Sequence, residues 1–369
     1  MNVLFVHSQN DVAGLNKPMR HRQSMPLGLS YISSVLKKNG HFTQAVVMGS
    51  CFAPDVGFRL VERAVREFGS QVIAYSSVST EYDFIEKIAA RARRKFGKGV
   101  FQIIGGPHAS LAPDTVITGP FDALCVGEGE HPTLELVSCL QAGRSPHGIA
   151  NLWIKSGENI EKNATRPFID DLDEIPFPDR ELWTRWISPR SSSTHSVLLG
   201  RGCPFDCSYC SNHALKKLAA GRYVRFRSPE KIVSEIAALT SAEPAIMELY
   251  LEVETIGVRL DWTLELCSQL ADFNRLRTIP LTFGTNLRIT PGCDYGDVFR
   301  AMKTAGFRFV NIGLESGHGN GKVVMSGDRR SVIRRVPKCE SAYRARIRAD
   351  TAAIYSRHTV FIPCEGSYP

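Results

Sequence analysis

Cys203, Cys207 and Cys210 stand in a C-x3-C-x2-C spacing inside the segment Gly200-Arg-Gly-Cys-Pro-Phe-Asp-Cys-Ser-Tyr-Cys210. Three thiolates within eight residues can cap one face of a cubane iron–sulfur cluster, and they leave the fourth iron without a protein ligand. An open iron can chelate a small molecule, so the spacing points to chemistry rather than to electron storage alone. Zinc is the competing reading. It prefers four ligands, usually as two C-x2-C pairs, and the nearest later donors are His213, Cys267 and Cys293. Of these, His213 is near enough to complete a small knuckle. A disulfide framework fits worse. The remaining cysteines are scattered at positions 51, 125, 139, 267, 293, 339 and 364, no signal peptide is recognisable, and such usage suits a reducing cytoplasm.

The elements that must position this loop fall into two α/β regions. Residues 1–145 alternate apolar runs with amphipathic stretches, the pattern of parallel βα units. Strands are expected at Val3–Val6, Ala45–Val47, Gln71–Tyr75, Val100–Ile104 and Asp122–Val126, with helices at Gly28–Lys38, Val61–Phe68, Glu81–Phe96 and Pro132–Leu140. Five such units predict a doubly wound, flavodoxin-like (Rossmann-type) domain whose ligand would sit at the carboxyl ends of the strands. Residues 146–190 read as a linker, acidic and proline-punctuated in Ile169-Asp-Asp-Leu-Asp-Glu-Ile-Pro-Phe-Pro-Asp179. From 191 to 369 a second alternation predicts a partial βα barrel. Its strands are expected at Ser196–Leu199, Met247–Val253, Leu281–Thr285, Phe309–Leu314 and Thr359–Ile362, and helices such as Pro229–Leu239, Trp262–Leu270 and Tyr295–Ala305 lie between them.

Composition limits the function classes. At 43% hydrophobic and 22% charged content the chain can bury two cores, and no apolar run approaches the ~18 residues of a membrane span. The net charge of +8 does not argue for nucleic acid, because it is concentrated. Between His318 and His358, eight Arg and two Lys face only Asp328, Glu340 and Asp350. A local run of that kind is usually a solvated face.

The cysteine loop after the first strand of the second region, with the acidic and glycine motifs downstream, resembles the radical S-adenosylmethionine (radical SAM) enzymes. The preceding domain resembles the cobalamin-binding branch of that family. The resemblance implies a 4Fe-4S cluster on Cys203, Cys207 and Cys210, whose open iron takes S-adenosylmethionine. It places Tyr209 near the adenine. In Leu251-Glu-Val-Glu-Thr-Ile-Gly257 it gives Glu254, and less well Glu252, the amino group of the same cofactor, for which a carboxylate neighbour is electrostatically apt. In Asn311-Ile-Gly-Leu-Glu-Ser-Gly317 it gives Glu315 the ribose hydroxyls, with Gly313 allowing close approach. Asn286 and Arg288 are polar groups of the same edge without assigned roles. In the first domain, Pro26–Tyr31, Ser76–Thr80, Gly105-Gly106-Pro107-His108 and Gly127-Glu128-Gly129-Glu130 fall where a corrin or its nucleotide tail would lie. The D-x-H-x-x-G motif that supplies an axial histidine in other cobalamin proteins is absent, since His7-Ser-Gln-Asn-Asp-Val-Ala-Gly14 has the place but not the spacing. No histidine ligand is therefore expected, and His108 reads as a loop residue.

The activity implied is reductive cleavage of S-adenosylmethionine to a 5'-deoxyadenosyl radical for methylation or rearrangement at an unactivated carbon of a small molecule. A low-potential partner such as flavodoxin or ferredoxin would supply the electron. Ring closure and oxidation belong to the same branch. The catalytic residues themselves are not readable. Three other readings stand beside this one: a first domain that only docks substrate or partner, a remnant that holds a cluster without turnover, and a zinc-binding interaction protein. Transfer-RNA methylthiolation fits poorly, because Cys51, Cys125 and Cys139 do not form the second triad it needs. The resemblance runs to about residue 317 and returns at Thr359–Glu365. The arginine-dense stretch 318–357 between them is atypical, and the sequence reaches Pro369 before a sixth barrel strand. An open barrel edge, a poorly packed tail and weak S-adenosylmethionine affinity are the expectations there.

Overall fold

Short β-branched runs, apolar on both faces, build the first sheet. The computed structural model describes residues 1–9, 25–49, 52–186, 195–288 and 294–312. Strand β1 (Asn2–Gln9) leads through α1 (Leu27–Lys38) to β2 (Phe42–Gly49), then α2 (Pro54–Phe68) to β3 (Val72–Ser76). Helix α3 (Tyr82–Phe96) leads to β4 (Phe101–Gly105). The short helices α4 (Pro107–Leu111) and α5 (Pro113–Val116) precede β5 (Ala123–Cys125), and α6 (Glu130–Gln141) follows it. These five strands are parallel and ordered β2-β1-β3-β4-β5. That is the flavodoxin order, and it places the carboxyl ends of β1 and β3 at the switch point.

Alternate residues of each strand feed two separate cores. Leu4, Val6, Ile73, Tyr75 and Ile104 pack against α2 and α3 through Val61, Val65, Ile85 and Ile88. Val3, Phe5, Ala74 and Ile103 pack the other way, against Leu29 and Leu36 of α1 and Leu136 and Val137 of α6. Strands buried on both faces explain the unbroken apolar runs in the sequence. Each fully buried Ile, Leu or Phe contributes about 1.5–3 kcal/mol of transfer free energy.

Part of the stretch expected as a linker joins this sheet. Strands β6 (Leu152–Ser156) and β7 (Asn159–Lys162) form a hairpin that joins β5 antiparallel, giving a seven-stranded sheet among the described residues. The acidic, proline-punctuated segment then returns to α1. Asp179 N–H donates to the Ser30 carbonyl at 3.0 Å, and Ser33 Oγ donates to the Asp179 carboxylate at 2.6 Å. Lys37 Nζ lies 2.9 Å from the same carboxylate, and Trp183 Nε1 donates to Ser30 Oγ at 2.7 Å. The boundary between the chain's two units falls at Thr194/His195, and Ala214–Arg222 returns to the first unit.

The second unit carries a four-stranded parallel sheet, ordered β13-β12-β11-β8. In chain order it comprises β8 (Ser196–Leu198), β9 (Gly200–Arg201), α7 (Asn212–Leu215), β10 (Arg225–Phe226), α8 (Pro229–Ala242) and β11 (Glu248–Glu252). Helix α9 (Leu260–Arg275), β12 (Thr282–Asn286), α10 (Gly296–Ala305) and β13 (Phe307–Asn311) follow. Helices between parallel neighbours are the pattern of a partial βα barrel. Strand β13 begins two residues before the expected Phe309. The register shifts at Phe283/Gly284, where a Cβ on Gly284 would stand 2.1 Å from the Phe309 ring. The glycine thus admits the ring where the register shifts. The expected strand Thr359–Ile362 and the arginine-dense stretch lie outside the described residues.

Candidate functional site

Two glycines and a short antiparallel pair fix the base of the cysteine loop. After β8 the chain runs through β9, which pairs Gly200 with Phe226 and Arg201 with Arg225 of β10. A Cβ on Gly200 would sit 2.4 Å from the Arg225 carbonyl oxygen, and one on Gly202 would sit 2.2 Å from that of Tyr223. Gly202 also has a φ of +85°, which a side chain would strain further. Beneath this pair, Arg227 and Glu235 form an ion pair at 2.6 Å, each side chain 2% exposed. Arg227 Nη1 also donates to the Leu198 carbonyl at 2.9 Å, tying the last residue of β8 to α8.

The three thiols lie on the loop above that base, half-buried and in no disulfide. Burial raises the Cys203 thiol; the Phe205 N–H opposes the rise, while the Glu254 charge and the other two thiols add to it. The Cys210 N–H donates to the Cys207 carbonyl at 3.1 Å. Asn212 Nδ2 lies 3.5 Å from Cys210 Sγ, and Tyr223 donates its hydroxyl to Asn212 Oδ1 at 2.5 Å. Arg288, just beyond β12, donates from Nη1 to Cys207 Sγ at 3.1 Å.

As donors, three neighbouring half-buried thiols on one glycine-based loop fit a cluster. Among the described residues no three His, Cys, Asp or Glu side chains already converge on a metal-sized point, so what fits is donor type and spacing. The zinc alternative keeps a narrower set of candidates. Only Cys267 is lost outright, a core residue, 1% exposed, its thiol pushed up to about 12 by burial; His213 has Nδ1 engaged with the Cys210 carbonyl and so offers a metal Nε2 alone. Cys293 lies outside the described residues.

The acidic motif splits by face. Glu252, the last residue of β11, pairs in register with Leu198 of β8 and accepts from Ser196 Oγ at 3.3 Å. Burial raises its carboxyl above the usual range, the Ser196 hydroxyl pulls it back, and the Glu254 charge adds to the rise. Glu254 is exposed, and its charge acts on both Cys203 and Tyr223. Tyr209 is 60% exposed on the cysteine loop. Gly313 and Glu315 lie outside the described residues. At the same carboxyl edge Tyr250, Asn286 and Asn311 form a network that the sequence does not announce. Tyr250 donates to Asn286 Oδ1, Asn311 Nδ2 donates to the Tyr250 hydroxyl at 2.8 Å, and Asn286 Nδ2 donates to the Val253 carbonyl at 3.0 Å.

In the first unit the expected residues also collect at the carboxyl edge, where His108 and Glu128 each have a partner in the protein. Gly106 has a φ of +95°, and a Cβ there would meet Ser76 Oγ and the Ser77 carbonyl oxygen at 2.9 Å. Gly105 has room, its nearest neighbour being Cys125 Cβ at 3.7 Å. His108 bonds through Nδ1 to Ser79 Oγ at 3.0 Å and lies 4.4 Å from the Tyr82 ring, the behaviour of a loop residue. Glu128 accepts from the Ile169 N–H at 2.8 Å and so holds the returning segment. Two buried polar atoms at this edge, Ser77 Oγ and His7 Nδ1, have no hydrogen-bond partner among the described residues. Ser77 follows the last residue of β3, and His7 lies within β1.

Comparisons with known proteins agree with this division. Residues 22–137 match the B12 binding domain, and residues 197–356 match the Radical SAM superfamily. The chain is 26% identical over 311 residues to an uncharacterized methyltransferase of Pyrococcus horikoshii, covering 79% of this chain and 61% of that protein. It is 25% identical over 332 residues to the anaerobic magnesium-protoporphyrin IX monomethyl ester cyclase of Rubrivivax gelatinosus, covering 86% and 56%. The chain therefore spans about six tenths of the length of these relatives. Its fold is like that of the radical SAM methyltransferase TsrM from Kitasatospora setae with cobalamin and a 4Fe-4S cluster bound, at a TM-score of 0.62 and 17% identity over 85% of this chain and 60% of that one. The two matched domains imply a 4Fe-4S cluster, S-adenosylmethionine and cobalamin as cofactors. A flavodoxin-ordered B12-binding domain followed by a cysteine-loop sheet makes this chain a member of the radical SAM superfamily that carries a B12-binding domain.

Proposed function

We propose that this protein is a cobalamin-dependent radical SAM enzyme that methylates or rearranges a small molecule at an unactivated carbon. The observation that carries the reading is the half-buried C-x3-C-x2-C loop at the carboxyl edge of a parallel sheet, preceded by a flavodoxin-ordered domain. In this reading Cys203, Cys207 and Cys210 hold the cluster. Glu254 accepts from the amino group of S-adenosylmethionine, Tyr209 covers the adenine, and Gly313 and Glu315 serve the ribose. Gly105, Gly106, His108 and Glu128 border the corrin, with His108 engaged by Ser79 rather than by cobalt.

When bound, the cofactors supply the reductive cleavage that yields a 5'-deoxyadenosyl radical and the cobalt-borne methyl group. The chain's own residues orient and exclude water. Gly200 and Gly202 let the loop lie against β10, and the Arg227–Glu235 pair anchors the strand behind it. Glu252, whose carboxyl burial raises, is held at the sheet edge by the Ser196 hydroxyl it accepts from. A flavodoxin or ferredoxin is the matching electron donor, and free thiols on this loop call for a reducing compartment such as the cytoplasm. Among the described residues no helix is long and apolar enough to cross a membrane.

Anaerobic incubation with S-adenosylmethionine, cobalamin and a low-potential reductant tests the proposal by mass spectrometry. The expected result is 5'-deoxyadenosine from the wild-type chain and none from Cys207→Ala. A chain with a full cluster that forms no adenosyl product contradicts it.

A further inference from the structure

Arg288 stands out because two independent contacts aim it at the cysteine loop. Its guanidinium carbon lies 3.8 Å from the centroid of the Phe205 ring, within cation–π distance. Its Nη1 donates to Cys207 Sγ at 3.1 Å. Phe205 and Cys207 are two positions apart on the loop, so one side chain from beyond β12 holds both. The backbone of Arg288 is itself fixed, since its N–H donates to Thr255 Oγ1 at 2.8 Å, and Thr255 is 3% exposed. The next residue back, Leu287, donates its N–H to the Asn311 carbonyl at 2.9 Å. A cation delivered from so anchored a backbone is not a solvated surface charge.

The geometry points to Arg288 as a positioning residue that clamps the cysteine loop and, through its bond to Cys207 Sγ, raises the reduction potential of the cluster bound there. This rests on the proposed function above, in that Cys207 must be a cluster ligand. The physics is general. Reduction adds negative charge to a cluster, and a donor on a ligand sulfur together with a nearby positive charge stabilises the reduced state. Hydrogen bonds to ligand sulfurs and net charge are recognised determinants of cluster potential. Lysine is a poor substitute, because an ammonium cannot cover the ring with a plane and point a fixed N–H at the sulfur together.

The test uses the full chain, reconstituted anaerobically as wild type, Arg288→Gln and Arg288→Lys. Iron and sulfide content is measured, followed by a redox titration monitored by electron paramagnetic resonance. Wild-type chain without a cluster defeats the underlying functional reading, not this assignment, so the two failures are distinguishable. Arg288→Gln with a cluster at lower midpoint potential, and Arg288→Lys between it and wild type, is the expected result. Arg288→Gln with a cluster at the wild-type potential overturns the assignment. Should Arg288→Gln hold no cluster, Arg288→Lys decides. A cluster at lower potential supports the assignment, and a wild-type potential or no cluster at all overturns it.

Discussion

The two carboxyl edges of this protein solve different problems with similar ingredients. In the first unit Gly106, His108 and Glu128 are engaged by neighbouring protein groups: a close approach to Ser76 and Ser77, a bond to Ser79, a bond to the Ile169 N–H. In the second unit the protein secures the base of the loop with Gly200, Gly202 and a buried ion pair, yet leaves three thiols half-buried at its tip. In the proposed reading the first edge is a shaped surface for a large ligand held by many weak contacts. The second is a ligand set for one strongly bonded group. Side chains at the first edge are accordingly replaceable one at a time, whereas the thiols are not.

The largest effect expected from this contrast is at the cysteines. Alanine at Cys203, Cys207 or Cys210 should each abolish iron binding, whereas Cys267→Ala should leave iron unchanged and cost only a small core contact. Equal iron loss at Cys267 would erase the distinction between loop and core thiols. The buried pair comes next. Arg227→Met strands a Glu235 carboxylate that is 2% exposed, and a broken buried pair costs about 3–5 kcal/mol, readable as a lower urea midpoint for the second unit.

Glycine substitution sharpens the comparison further. Gly202→Ala should cost about 2–4 kcal/mol and reduce iron uptake, since left-handed backbone and a clash with a carbonyl act together. Gly105→Ala, with open space around it, should change stability by less than about 1 kcal/mol. A corrin packed against that bare edge would nevertheless feel the methyl, so cobalamin uptake is the sensitive readout there.

A pH dependence is also expected in the first unit. Burial lowers the His7 imidazole to about 4 in the folded chain. Above the unfolded value of about 6.5 both states are neutral, and the stability is fully present. As pH falls from about 6.5 to about 4 the unfolded chain takes up a proton that the folded ring refuses, so stability declines by at most about 3 kcal/mol. His7→Phe should flatten that decline in the unfolding midpoint of the first unit; an unchanged slope would mean that His7 protonates freely in the fold.

What was legible in the sequence follows from how each element is encoded. Strands β1, β3 and β4 are short runs of Val, Ile, Phe, Ala and Tyr buried on both faces, and such runs announce themselves. The hairpin β6–β7 did not, because Asn159-Ile-Glu-Lys162 is an exposed edge strand with little apolar signal. Its one cue was Ser156-Gly157, a turn dipeptide whose glycine has a φ of 64°. The register shift beside β13 comes where a ring enters the space over Gly284, a tertiary event that periodicity does not carry. At the site, the cysteines were readable from spacing alone. Arg288, Asn212 and Tyr223 were not placed at the thiols beforehand, because their contacts join residues 81, 2 and 11 positions apart with no motif linking them. The Ser30–Asp179–Trp183 anchor is missed for the same reason, joining α1 to a segment that looked like tether.

The most direct test of the account is metal and corrin analysis of the full chain after anaerobic reconstitution with iron, sulfide and hydroxocobalamin. The account predicts about four iron and four sulfide per chain, a broad visible absorption near the blue that bleaches on reduction, and one equivalent of cobalt retained through gel filtration. Zinc in place of iron, or a chain that retains neither cluster nor cobalt, would contradict it.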